Sequence, residues 1–279
     1  MDRADFQWDP PGTEAVVADR ATTGRVLSAV VLLGAFLTSL GSFSAAALAS
    51  RALFDKPLKV TRLALPRDPQ NPRAKTQLSC FYFPHFMVKQ IDLGEIGADQ
   101  LSIIPLPNEH DKIACRRSNS ANEKVVASDE WSGYFEGVKG DYVFFNAEDG
   151  WNGGLGFAVF WAADGKKIFD DVAKNFRAIE LAPSGITMRY ERVFAASCSL
   201  RADETGCWRQ IRHDTGLSDA SPPNCIAAYD RERKRTPAFA QQVITDPTVI
   251  DYEVVVAIAA NTKTRTPVTG KATACKPAD

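Results

Sequence analysis

The chain predicts a mainly β fold, an antiparallel β-sandwich or a meander of hairpins, with a propeller-like arrangement of blades as the alternative. Three observations predict it. After Leu78 the sequence is a succession of short apolar runs, rich in aromatic and β-branched residues and separated by Gly, Pro, Asn and Asp. Two of these runs alternate with period two, as strands with one buried face must. All six cysteines also lie in this part of the chain, which suits a β domain stapled by disulfides.

Residues 1–25 carry Asp2, Asp5, Asp9, Glu14 and Asp19 against Arg3, Arg20 and Arg25. They form an N-terminal tail or follow a start codon assigned too early, because the leading region of an export signal is normally positive. Residues 26–49 hold no charge, contain the apolar core Val26 to Leu37 and close on Ala47-Leu48-Ala49, a small-x-small cleavage pattern. This hydrophobic helix is expected to be a signal peptide that is cleaved. The alternative is a transmembrane helix that anchors the chain in the membrane. Arg51, Lys56, Lys59 and Arg62 follow the run, opposite to the positive-inside arrangement of an anchor whose N-terminus stays inside.

Residues 50–77 include Pro57, Pro66, Pro69 and Pro72 and are expected to form a Pro-rich linker or an edge segment. The disulfide-stapled β domain is assigned to residues 78–279. Within it, Ile186, Met188 and Tyr190 alternate with polar residues, as do Tyr252, Val254, Val256 and Ile258. Asp164-Gly165 and Pro183-Ser184-Gly185 punctuate the runs as hairpin turns. The stretch from Tyr142 to Gly150 repeats from Phe157 to Gly165, with Phe145, Ala147, Asp149 and Gly150 recurring as Phe160, Ala162, Asp164 and Gly165. A strand and an Asp-Gly turn used twice suit a meander or a blade. The run 166–176 has apolar residues at helical spacing but follows a turn, so a returning strand is preferred. Helix is expected to be scarce after Ala49, for want of long capped amphipathic stretches.

Cys80, Cys115, Cys198, Cys207, Cys225 and Cys275 are even in number in a chain that looks exported. Three disulfides are the natural expectation, and proximity in sequence favours Cys198 with Cys207, Cys80 with Cys115 and Cys225 with Cys275. No Cys-x-x-Cys pair suggests zinc. Beyond residue 49 the chain carries 30 basic and 29 acidic side chains, a balance that argues against nucleic-acid binding, which needs a basic face. A membrane is expected as partner only through residues 26–49, if they stay attached.

No catalytic residue, metal site or cofactor is expected. His85, His110 and His213 share no metal-ligand spacing, and His213-Asp214 is not accompanied by a nucleophile motif. Adjacent acids such as Asp170-Asp171 do not by themselves make an acid/base pair. The run Asp230 to Arg235 is read as a solvated loop. The candidate ligand-binding residues are Glu148, Asp149, Trp151 and Asn152, which place carboxylates, an amide and a tryptophan on one Gly-rich stretch. Such a loop suits a structural turn, a sugar or peptide stacked on Trp151, or a calcium ion, although the EF-hand spacing is not met.

Cys80-Phe-Tyr-Phe-Pro84 with Met87-Val-Lys89, Gly140-Asp-Tyr-Val-Phe-Phe145 and Asn152-Gly-Gly154 resemble segments of uncharacterised exported proteins of alphaproteobacteria. The resemblance implies a periplasmic or secreted location and no particular activity. The expected function is therefore a binding or interaction module of the periplasm or cell surface, with a glycan or an envelope protein as partner. The alternative is a hydrolase of envelope polymers, its site assembled from distant carboxylates or His213.

Overall fold

The computed structural model describes residues 52–67, 69, 72–106, 113–259 and 262–278. The hydrophobic segment 26–49 and His110 lie outside them. Two antiparallel sheets account for the described strands. The first runs in chain order through β1 (Lys59–Ala64), β2 (Gln77–Tyr82), β3 (Phe86–Asp92), β4 (Gln100–Pro105) and β5 (Lys124–Val125). The Pro-rich segment thus contributes an edge strand, β1.

The second sheet is a longer meander of β6 (Gly133–Lys139), β7 (Tyr142–Trp151), β8 (Gly154–Trp161), β9 (Lys167–Ala182), β10 (Gly185–Ala195), β11 (Thr248–Ala259) and β12 (Thr262–Pro267). A last strand, β13 (Ala274–Pro277), pairs with the first residues of β11. The two repeat copies are neighbouring strands of this sheet, β7 and β8, so no blade arrangement arises. The segment 166–176 is strand, as preferred.

The apolar runs of β7 and β8 are continuous because both of their faces are buried. Val143, Phe145, Ala158 and Phe160 point to the first sheet and pack with Phe86, Val88, Leu101 and Ile103. Tyr142, Phe144, Phe157 and Val159 point the other way, into a core shared with Ile186, Met188, Tyr190 and the inward side chains of β11. A strand half exposed to water would have to alternate; one covered on both sides does not.

Strand β9 makes the second core possible. Its first half, from Lys167 to Ala173, pairs with β8, whereas Ala173 to Ala182 pairs with β10 through register shifts beside Phe176. Bulges bend a strand and increase its twist. The sheet therefore curls, and Phe157 meets Phe176 and Tyr190 edge-on or tilted across the bend, with centroids 4.8 and 5.3 Å apart. At the seam Phe54 stacks edge-on against Phe144 at 5.2 Å and lies so close to Gly137 that a Cβ there would come within 2.4 Å of the ring. Asp55 anchors this segment by donating its N–H to Val138 O and accepting from Gly140 N–H, both at 2.7 Å.

Helix is less scarce than expected. Between β10 and β11 the chain forms α1 (Glu204–Thr215), α2 (Ile226–Arg235) and the short α3 (Gln242–Thr245). The signals for α1 are local: Asp203 accepts the Gly206 N–H at 2.9 Å as N-cap, and Gly216 closes the helix at φ 75°. Trp208 and Ile211 bury one side of α1 against the sheet. The basic run read as a loop is the second half of α2.

Three disulfides join Cys80 to Cys115, Cys198 to Cys207 and Cys225 to Cys275, the three pairs that proximity favoured. They fit folding in an oxidising compartment. Two of them tie the helical insert down: Cys198–Cys207 holds the start of α1 to the segment after β10, and Cys225–Cys275 holds the start of α2 to β13. Tyr229 of α2 does the same through hydrogen bonds: it bonds the Thr248 hydroxyl at 2.8 Å and donates to Asp246 O at 3.0 Å.

The outer side of the first sheet carries a buried ion pair between Lys89 and Glu123, each side chain only 1 % exposed. Burial raises the Glu123 pKa, but the hydrogen bonds from Lys89, the Ser120 N–H and Ser102 outweigh it, so the carboxyl lies below its ordinary value. A depressed carboxylate stabilises the fold above the ordinary carboxylate range and loses that contribution as pH falls through it. Glu123→Gln is expected to cost about 3 kcal/mol at neutral pH, because it leaves Lys89 buried without its counter-charge. Urea denaturation at pH 7 and at pH 3 checks this: the gap between wild type and variant should shrink at the lower pH.

Candidate functional site

The four residues singled out in the sequence do not form one site. Asn152 and Gly153 are the two residues of the β7–β8 hairpin turn, at φ 55° and 78°. Both are left-handed, as a type I′ turn requires, and Asn-Gly is its favoured pair. The Asp149-Gly150 pair that looked like the turn instead lies within β7, where the register shifts between Asn146 and Gly150. That irregularity turns Glu148 and Asp149 into a groove of about 420 Å³ with Asp129, Glu130 and Trp131. Glu148 accepts the Ser132 hydroxyl there at 2.7 Å. Trp151 is exposed at the strand end, while the buried Asn152 faces a separate cleft beside Lys174 and Asp251. Among the described residues no group of three or more His, Cys, Asp or Glu is placed to hold a metal.

The other reactive candidates also separate. His213 sits on the exposed last turn of α1, its Nδ1 2.8 Å from Asp214 Oδ1. His85 lies in the exposed β2–β3 turn. Asp170 and Asp171 point to opposite faces of β9, as adjacent residues of a strand do. Asp170 is exposed beside Lys167, whereas Asp171 is buried in a charged cluster.

In that cluster Asp171 accepts from the Tyr190 hydroxyl at 2.6 Å and from Arg192 Nε at 2.8 and 2.9 Å, with Arg265 2.8 Å away. Arg192 also donates to the Tyr252 hydroxyl at 2.7 Å. Burial and then the Asp171 charge push the Tyr190 phenol far up, so it remains a donor at any physiological pH. Both Asp171 oxygens and the Tyr190 and Tyr252 hydroxyls are taken up within the cluster. The group therefore braces β9, β10, β11 and β12 and offers little to a substrate.

A cleft of about 730 Å³ opens at the mouth of the curled sheet. Four connections bound it: the turns after β6 and β8, the β9–β10 hairpin at Pro183-Ser184 and the end of β11. Leu181 reaches over Gly140, its methyl carbons about 3 Å from where a side chain on Gly140 would begin. Tyr142, Trp161, Ile168, Leu181 and Ile258 give the cleft apolar walls, with Tyr142 and Trp161 edge-to-face at 4.9 Å. Lys166, Lys167 and Lys263 stand around it. Lys166 approaches Asp164 at 3.6 Å and Lys167 donates to Glu130 O at 3.1 Å. Lys263 forms no ion pair among the described residues.

This cleft was not visible in the sequence. The lining comes from segments more than a hundred residues apart, and no local pattern links them.

Removing the central carboxylate of the buried cluster tests its bracing role. Asp171→Asn leaves two guanidinium groups without their counter-charge and is expected to cost about 3 to 5 kcal/mol of stability. The shift in urea midpoint measures it, and a change below about 1 kcal/mol would mean that solvent already screens the cluster.

No family model, curated protein or solved structure matches the chain, so its function is argued from geometry alone.

Proposed function

We propose that the protein is an exported binding module of the periplasm or cell surface, and that the mouth of its curled sheet holds an amphipathic ligand with an acidic end. The observation that carries this reading is the combination of size and lining at the mouth. A volume of about 730 Å³ falls in the range of small-molecule sites, and apolar walls with a few placed polar groups are what such sites use. Tyr142, Trp161, Ile168, Leu181 and Ile258 would cover the apolar part of the ligand. The lysines outside them would meet its charged end, Lys263 first because no acid answers it among the described residues.

The location rests on three disulfides, which persist in oxidising compartments. It also rests on the uncharged run of residues 26–49 and its cleavage pattern. Binding is preferred to hydrolysis because His213 is not among the residues that line the carboxylate groove, and the buried Asp171 is locked in its own cluster.

Titration of the purified protein with dodecanoate, dodecanol and a short cell-wall oligosaccharide, followed by tryptophan fluorescence, tests the proposal. Saturable binding of dodecanoate is expected, in the micromolar range and about 8 kcal/mol in free energy. Lys263→Gln should weaken dodecanoate several-fold and leave dodecanol unchanged, and Leu181→Asp should weaken both. Saturation by the oligosaccharide alone, or dodecanoate binding indifferent to Leu181→Asp, would overturn it.

A further inference from the structure

The basic run Asp230 to Arg235 serves neither the core nor the mouth. It forms the second half of α2, where Arg231, Lys234 and Arg235 fall at i, i+3 and i+4 and so share one stripe of the helix. All three are exposed, whereas Tyr229, on the other side of the helix, is buried.

The charge around this stripe is unbalanced. Arg201 joins Arg231, Arg233, Lys234 and Arg235, and the acids among them are Asp230 and Glu232. Asp230 is shared between Arg201 at 4.0 Å and Arg233 at 3.7 Å, and Glu232 forms a two-pronged pair with Arg235 at 2.9 Å. Arg231 and Lys234 have no acidic partner among the described residues. The near-neutral balance of the whole chain conceals this excess because the excess is local.

Beyond α2 the chain turns outward. Thr236 closes the helix by donating its N–H to Glu232 O at 2.9 Å, and a 3-10 turn follows at Pro237–Phe239. Pro237, Ala238 and Phe239 are all exposed, Phe239 to 62 %. The turn is nonetheless fixed: Phe239 N–H donates to Thr236 O at 3.0 Å, and Arg233 Nε donates to Ala240 O at 3.2 Å. Val243 takes the buried place in this stretch. The fold therefore holds an aromatic ring in water directly beyond the basic stripe.

A lone exposed ring needs no explanation, but a ring on a fixed apolar turn beside unanswered cations matches one surface in particular. Anionic headgroups over hydrocarbon offer phosphates to the cations and an apolar boundary to the ring. A folded acidic partner would require a much wider face than this one turn. We infer that the C-terminal half of α2 and the turn after it dock on an anionic lipid bilayer. Arg231 and Lys234 lie over lipid phosphates, and Phe239 enters the headgroup boundary. The surface is independent of the ligand proposed for the mouth.

The test is co-sedimentation of the purified protein with vesicles of equimolar phosphatidylglycerol and phosphatidylcholine, against vesicles of phosphatidylcholine alone. Sedimentation with the anionic vesicles only is expected, weakening as sodium chloride is raised. The double variant Arg231→Gln with Lys234→Gln should lower partitioning on the order of ten-fold, since each cation near the surface contributes about five-fold. Phe239→Ser should lower it about five-fold or more by removing the apolar contact. Lys75→Gln, an exposed cation in the loop before β2, should leave it unchanged. Unchanged melting temperatures would show that the variants are folded. Three results would overturn the inference: no sedimentation with either vesicle, equal sedimentation with both, or anionic binding that survives the double variant and Phe239→Ser. A dimer in solution that Phe239→Ser breaks, without vesicle binding, would assign the face to a second copy and overturn it as well.

Discussion

Burial of β7 and β8 on both faces is the constraint on which the remaining structure depends. These two strands form the middle of the protein, with the first sheet on one side and the curled half of the second sheet on the other. Each large side chain there removes apolar area from water with no polar alternative on either side, so any slip in register would exchange two whole sets of core residues. The aromatic pairs across the faces add geometric preference to area: Phe145 meets Phe160 edge-on toward the first sheet, and Phe157 meets Tyr190 edge-on in the other core. A doubly covered pair of strands fixes where both neighbours must lie.

The curl of the second sheet follows from that middle layer. A meander this long cannot stay open and still cover the inner faces of β7 and β8. The bulges of β9 bend it, and the bend brings the β9–β10 hairpin round toward the turn after β6. The curl leaves a seam and an end. Phe54 fills the seam, drawn from the segment just after the expected export signal and locked by Asp55. The end is left wide, and it is the mouth cleft. The ligand seat proposed there is thus a by-product of closing a core with a strand that changes partners midway.

Polar groups divide sharply between bracing and exposure. Lys89 with Glu123, and Asp171 with Arg192 and Tyr190, are buried and mutually satisfied, and each links segments distant in sequence. Buried charge survives only with such partners. Lys263 at the mouth stands where solvent still reaches, and that is where a charged ligand would find an unanswered group. The disulfides reinforce this division. Cys198–Cys207 ties α1 to the segment after β10, and Cys225–Cys275 ties the start of α2 to β13.

Much of the architecture was legible in the sequence because its causes are local. Alternation at Ile186–Tyr190 and Tyr252–Ile258, the turns at Asp164-Gly165 and Pro183–Gly185, and the strand at 166–176 all follow from neighbours within a few residues. The disulfide pairs were legible for the same reason, since each joins cysteines consecutive in the chain. Two local signals were present and underweighted: Asn152-Gly153 as a type I′ turn, and Asp203 with Gly216 as the two ends of α1. The rest had no local cause. That Tyr142–Phe145 and Phe157–Phe160 are covered on both faces, that Glu148 and Asn152 open into different clefts, and that Trp161, Leu181 and Ile258 share one mouth all depend on the bend in β9. Backbone and turn preferences are set by adjacent atoms and can be read along the chain. Convergence of distant side chains is set by packing, and only the folded core decides it.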